Sequence, residues 1–166
     1  MTQTDERQDF LELMALVPGA RLLETQDAAV RCPDETCDGI LCIDGIARVL
    51  DRAAALDAWA RALKPGGRVL YTDPAILAGL VTTDEIAACG RGEIFVLSPQ
   101  GENEGLIDAA GLRLLRADDA SESVALRTDD PESAPDGVWR RFLETTRTLA
   151  AERRLARIAF LAERPR

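Results

Sequence analysis

Apolar positions along the chain alternate between two rhythms. Residues 6–16 place Phe10, Leu13, Met14 and Val17 on one helical face, and Pro18-Gly19 is expected to stop that helix. Ala20–Glu24 is a short apolar run that predicts a strand, and residues 25–38 are polar and read as a loop. Gly39–Asp44 is apolar throughout, as a strand covered on both faces should be. Val49, Ala53, Leu56, Ala60 and Leu63 recur at helical spacing over 47–63, and Lys64-Pro65-Gly66-Gly67 is expected to end that helix sharply. Arg68–Thr72 predicts the next strand, broken by Asp73-Pro74. Short helices follow at Thr83–Cys89 and Glu104–Ala110, then a strand at Leu112–Ala117. Residues 118–136 are rich in Asp, Ser and Pro and read as a mobile insertion. An amphipathic helix over Val138–Arg153, with Val138, Phe142, Thr145 and Leu149 inward, leads into a last strand at Leu155–Ala162. Helices and strands in alternation predict an α/β domain with a mostly parallel sheet.

Composition narrows the chemistry. The 166 residues suit a single domain, and 46% apolar residues can build a core, although aromatics make up only 4%. A net charge of −9 disfavours nucleic acid and anionic membranes as partners. No apolar run is long enough to span a bilayer, and the polar start MTQTDERQDF is unlike a signal peptide, so a cytoplasmic location is expected. The chain has no histidine, which removes the commonest general base and metal ligand. Cys32, Cys37 and Cys42 lie five apart, unlike the C-x2-C pairs of zinc sites. No metal is expected. Cys42 reads as core packing, and Cys32 and Cys37 as reduced thiols in loop positions.

Asp38–Gly67, continued by RVLYTDP at 68–74, resembles the middle of class I S-adenosylmethionine-dependent methyltransferases. A strand ending in an acid, a helix, L-K-P-G-G and a further strand is a signature of that family. Gly101–Ala117 and Arg147–Arg164 resemble its late helix and strand and its final helix and strand. The likeness covers about residues 20–165 and is nearest to the small-molecule enzymes, those acting on amines or natural-product intermediates. One departure stands out. The family's first strand leads into a glycine-rich loop, whereas Pro18–Glu24 leads into Thr25-Gln26-Asp27-Ala28. Those residues resemble the acidic loop that normally follows the family's third strand. About two β-α units are missing, which turns the family order 3-2-1-4-5-7-6 into a five-stranded 1-4-5-7-6. The resemblance therefore implies one shortened Rossmann-like methyltransferase domain over residues 1–166.

The resemblance also assigns a partial site. Asp27 and Ala28 match the adenine contact, and Cys42, Ile43 and Asp44 match the segment beneath the methionyl end. Without the glycine loop and the ribose-binding acid, each charged hydrogen bond lost removes about 1.5–3 kcal/mol. The cofactor expectation is therefore none, or S-adenosylmethionine held weakly or only in an oligomer. Ligands of open α/β sheets lie beyond the carboxyl ends of the strands. This makes Ile46, Thr72, Ile76, Phe95, Ser98 and Asn103 candidate substrate contacts, and Asp44, Asp73 and Glu102 candidate acids or bases, suited to a cationic or hydroxyl-rich small molecule. Simpler roles exist for several of these residues. Asp44 would cap the next helix, Asp73 would shape a turn, and Asp27 would be a solvated loop acid. Trp59 and Tyr71 would be core, Arg153 and Arg154 would complement a helix dipole, and Cys89 would be a loop thiol.

Two functions follow as expectations. In the first, the chain is a degenerate methyltransferase-like protein that binds a small molecule or a partner chain, or a repurposed cofactor-independent enzyme for a rearrangement, cyclisation or elimination. In the second, it is an active methyltransferase whose cofactor site is completed by dimerisation or by a partner subunit. Loss of the outer strands would leave strand one as an edge and one sheet face bare. A homodimer or heteromer through that edge or face is expected, unless the N-terminal helix folds across it.

Overall fold

Continuous apolar runs covered on both sides organise the molecule. The computed structural model describes residues 3–25, 32–91, 93–121 and 136–166. Its elements are α1 (Gln3–Met14), β1 (Leu22–Thr25), β2 (Cys37–Cys42), α2 (Arg52–Ala62), β3 (Leu63–Ile76), α3 (Thr83–Gly90), α4 (Glu102–Ala109), β4 (Arg113–Asp119), α5 (Gly137–Ala151) and β5 (Leu155–Glu163). The strands form a five-stranded sheet of order β1-β2-β3-β5-β4, which is 1-4-5-7-6 in the family's strand numbers. β1, β2 and β3 pair in parallel. β5 runs antiparallel to both β3 and β4.

Alternation along the strands separates two cores. Ile40, Cys42, Val69, Tyr71 and Phe160 face α2 and α4 and pack around the fully buried Trp59. Tyr71 lies between Trp59 and Phe160, with ring centroids 5.5 Å and 5.3 Å away. Leu41, Leu70, Ala159 and Leu161 face the other way and receive Phe10 and Met14 of α1. The N-terminal helix thus lies on the face expected to be bare. A smaller cluster of Cys89, Leu149 and Leu155 joins α3 and α5, and Arg91, which caps the end of α3, stacks 4.2 Å from the Trp139 ring centroid of α5.

Several boundaries differ from the sequence expectation, each for a local reason. α1 ends at Met14, before Pro18, because Ala15 takes the left-handed conformation with φ 46°; Val17 is consequently exposed. The stretch 47–63 is split into a 3-10 turn at Ile46–Arg48 and α2, because the Asp51 carboxylate accepts from Ala54 N at 3.0 Å and starts a new helix. Asp51, not Asp44, is therefore the cap. Lys64–Gly67 is not a separate turn. It bulges within β3, between the Cys37–Leu63 and Gly39–Arg68 pairs. β3 continues through Asp73-Pro74 to Ile76, since its β2 neighbour has already ended and Pro74 has no ladder donor to lose on that side. Asp73 accordingly shapes no turn. Cys37 opens β2 and is fully buried, not a loop residue. Val138 in α5 is exposed, and Leu143 and Leu149 are the buried positions. Of the expected insertion at 118–136, Asp118 and Asp119 complete β4 and Asp136 caps α5 at Trp139 N; residues 122–135 lie outside the described residues.

Candidate functional site

The carboxyl ends of β2 and β3 meet the start of β5, and two charged clusters form there on opposite faces of β3. The first is built on Asp44, two residues past β2, in the left-handed conformation with φ 57°, which short polar side chains tolerate best after glycine. Its backbone N–H donates to Thr72 Oγ1 at 2.8 Å, and the Thr72 hydroxyl donates back to Asp44 Oδ1 at 2.9 Å. The antiparallel β3–β5 register sets Arg157 opposite Pro74. The Arg157 guanidinium donates from Nε to Asp44 Oδ1 at 2.6 Å and from Nη2 to Oδ2 at 3.1 Å. Its Nη1 donates to Glu6 Oε1 of α1. Arg157 and Glu6 are each 6% exposed at the side chain, and Asp44 is 39% exposed. Burial pulls the guanidinium pKa down, and the two carboxylates more than restore it, so it lies above the ordinary arginine value.

The second cluster faces α2 and α4. Asp73 is fully buried and accepts at Oδ2 from Ser98 Oγ at 2.5 Å and Asn103 Nδ2 at 2.7 Å. Arg52 Nη2 forms an ion pair with Asp73 Oδ1, while Arg52 Nη1 donates to Ser98 Oγ and lies 3.4 Å from Glu102 Oε2. The Tyr71 hydroxyl donates to Asn103 Oδ1 at 2.9 Å. Burial pushes the Asp73 carboxyl above the usual carboxylate range, opposed by the Arg52 charge and the Ser98 and Asn103 hydrogen bonds. Burial also raises the Tyr71 phenol, with the Asp73 charge adding to it. Beside these clusters, Leu77, Asp119, Ser121, Arg153, Leu155 and Ala156 help to line a cavity of about 310 Å³. Ser121 Oγ there accepts from Arg157 N at 3.0 Å, which connects the cavity wall to the first cluster. A larger open groove of about 580 Å³, between Ala54, Arg61, Ala110 and Arg164, lies at the amino ends of the strands, away from this chemistry.

A methyltransferase-domain family model matches residues 4–71. The ubiquinone/menaquinone biosynthesis C-methyltransferase UbiE of Syntrophotalea carbinolica is 41% identical over 64 residues, 36% of this chain and 27% of that protein. Over these residues the chain is similar to class I S-adenosylmethionine-dependent methyltransferases. Solved structures share its fold. Phosphoethanolamine N-methyltransferase 2 of Haemonchus contortus, in complex with S-adenosyl-L-methionine, superposes with a TM-score of 0.77 at 13% identity, covering 98% of this chain and 53% of that one. The [4+2]-cyclase SpnF superposes with a TM-score of 0.58 at 15% identity, covering 83% of this chain and 54% of that one. The chain thus spans about half the length of these two solved structures and 27% of the curated methyltransferase it matches.

The sequence-predicted residues separate accordingly. Asp73, Glu102, Ser98 and Asn103 come together in one cluster, and Asp44 and Thr72 in the other. Cys42 and Ile46 are fully buried in the core facing α2 and α4, while Ile43 is half-buried toward α1. Ile76 donates its N–H to Ser98 O at 2.8 Å, and Phe95 packs against the α3–α5 cluster. Asp27 and Ala28 lie outside the described residues. Sequence reasoning missed Arg52, Arg157 and Glu6. Arg157 carried a signal, as the one charge amid the apolar run LARIAFLA, since a buried charge requires a partner. Arg52 and Glu6 sit among ordinary helical charges and carried none.

The described residues do not fit the family's cofactor in its usual seat. The Asp44 carboxylate is occupied by Arg157 and Thr72, Cys42 is sealed in the core, and no glycine stands between Glu24 and Asp38 to admit close backbone approach.

Proposed function

We propose that this chain is a degenerate methyltransferase-like protein that holds a small molecule at the carboxyl end of its sheet and does not transfer methyl groups as a monomer. The closure at Asp44 carries this reading. A carboxylate at the end of β2, where the family seats the methionyl end of the cofactor, is neutralised by Arg157, whose guanidinium is held in turn by Glu6 of α1. The ligand would occupy the cavity beside Arg157, where Asp119 and Ser121 suit an amine or a hydroxyl-rich group. A repurposed, cofactor-independent enzyme is the catalytic version of the same reading, and the fold shared with a [4+2]-cyclase supports keeping it. Of the candidate acids, Asp44 and Glu102 are reachable from solvent, with side chains 39% and 41% exposed, while Asp73 is sealed. A general acid or base would be Glu102 before Asp73. Calorimetric titration with S-adenosylmethionine and S-adenosylhomocysteine, with the assembly mass measured on the same sample, tests the proposal. Monomeric chain should give no saturable heat; stoichiometric binding by a monomer refutes it.

The second reading is an active methyltransferase completed by another chain. It is favoured by the cofactor-bound relative of twice this length and by the outer side of β1, which no described strand pairs. α1 already occupies the neighbouring sheet face, so the partner would join at the β1 edge. Under this reading, methyl transfer appears only in fractions of dimeric or heteromeric mass.

A further inference from the structure

At the amino end of β2, opposite to the clusters above, two thiols face each other. Cys32 Sγ lies 3.2 Å from Cys37 Sγ and 2.8 Å from Thr36 Oγ1. Cys32 is half-buried and reachable, whereas Cys37 is sealed in the core. The chain between them is held from several sides. Glu35 N donates to Arg61 O at 2.8 Å, Thr36 N to Ala62 O at 3.0 Å, and Arg164 reaches Glu35 Oε1 at 2.8 Å. Asp38, just beyond, accepts from Arg21 N and from Lys64. The two sulfurs are therefore presented to each other by a fixed frame and need no refolding to meet.

We propose that Cys32 and Cys37 form a reversible thiol–disulfide modification site, oxidised by hydrogen peroxide or a hydroperoxide of the same class, with Cys32 as the attacking thiol and Cys37 as the resolving one. The Cys32 thiolate attacks one peroxide oxygen, the O–O bond breaks, and hydroxide leaves and is protonated to water, giving a sulfenic acid at Cys32. The Cys37 sulfur then attacks Cys32 Sγ as its own proton departs. The S–O bond breaks and a second water leaves. Two thiols lose two electrons and two protons, and the peroxide becomes two waters. The geometry sets the direction. The Thr36 hydroxyl donates to Pro33 O at 2.8 Å while Cys32 is a thiol, and it has Cys32 Sγ at the same distance as an alternative acceptor once that sulfur is charged. The hydrogen bonds from Thr36 and Cys37, with the Arg21 guanidinium nearby, hold the Cys32 thiol below its usual range, and burial pushes Cys37 up. Cys89, by contrast, is pushed up to about 11 by burial and serves as an internal control.

The full chain, treated with hydrogen peroxide, is quenched with an alkylating reagent, digested and mapped by mass. A Cys32–Cys37 linked peptide lighter by two hydrogens is expected, reversed by a dithiol reductant, with Cys32 reacting about tenfold or more faster than Cys89. Closing so short a loop should raise the thermal midpoint by about 5 °C. Cys37→Ala should arrest oxidation at Cys32 sulfenic acid, captured by a dimedone probe, and Cys32→Ser should abolish the linkage. Oxidation of Cys32 no faster than Cys89, or disulfides only between chains, overturns the proposal. Far-UV circular dichroism confirms that both variants fold, and if Cys37→Ala does not, the rate comparison in the native chain decides alone.

Discussion

Asp73 is fully buried, and the side chains around it offset the cost of burying a carboxylate. Arg52 supplies the opposite charge, and Ser98 and Asn103 supply donors. Replacing Asp73 by Asn leaves the Arg52 charge buried beside a neutral amide, which should cost about 3 kcal/mol, seen as a lower urea midpoint at unchanged slope. A loss under 1 kcal/mol would mean that solvent reaches Arg52 after all. Glu85 makes a different prediction. Its carboxylate accepts from Arg154 and from the Thr82 backbone and hydroxyl, and these hold its pKa down to about 2, below the unfolded value of 4.5. A depressed acid contributes stability above its unfolded pKa and loses it as the pH falls toward the folded one. Stability should therefore drop between about pH 4.5 and pH 2, and Glu85→Gln should flatten that part of the curve while lowering the plateau at neutral pH. An acid limb unchanged by the substitution would contradict the assignment.

Elements were legible where one local force dominates. The apolar runs of β2 and β5 and the periodicity of α2 needed no tertiary information, and neither did the stop at Gly111 after α4. Lys64–Gly67 was legible as an irregularity but not as a bulge inside a strand, because the reason lies in other elements. Gly66 N donates to Arg164 O at 2.8 Å, and Arg164 N to Gly67 O at 2.9 Å. Gly66 has φ 81°, and a Cβ on Gly67 would lie 2.9 Å from Lys64 O and 3.3 Å from Asp38 O. Those contacts are backbone and cannot turn aside. Gly67→Ala should cost about 1–3 kcal/mol. Gly39→Ala should cost less, since its Cβ meets the tips of Leu16, Met14 and Leu22. Thermal midpoints of the two variants check the ranking, and the reverse order would show that α1 packs more rigidly than the bulge.

At the scale of the whole molecule, the five-strand order could be read from the sequence because removing two edge units leaves a contiguous sheet. The closure of the site could not, since it joins the two ends of the chain. Glu6 of α1 and Arg157 of β5 are 151 residues apart and meet over Asp44. A pattern search sees one residue as an ordinary helical acid and the other as an interruption in a strand; only the β3–β5 register and the seating of α1 bring them together. This arrangement predicts strong coupling. Glu6→Gln removes one of the carboxylates that hold Arg157, and Arg157→Met leaves two carboxylates facing an apolar side chain, so each single variant should be destabilised, the second by about 3–5 kcal/mol. The double variant removes one buried charge of each sign and should be more stable than the sum of the single losses predicts, by about 1–3 kcal/mol. Urea unfolding of the four proteins in this cycle measures the difference. Additive losses would mean that α1 docks through its other contacts, such as Phe10, Met14 and the Arg7–Glu24 pair, and the ion cluster would then have no part in holding the N-terminal helix over the carboxyl end of the sheet.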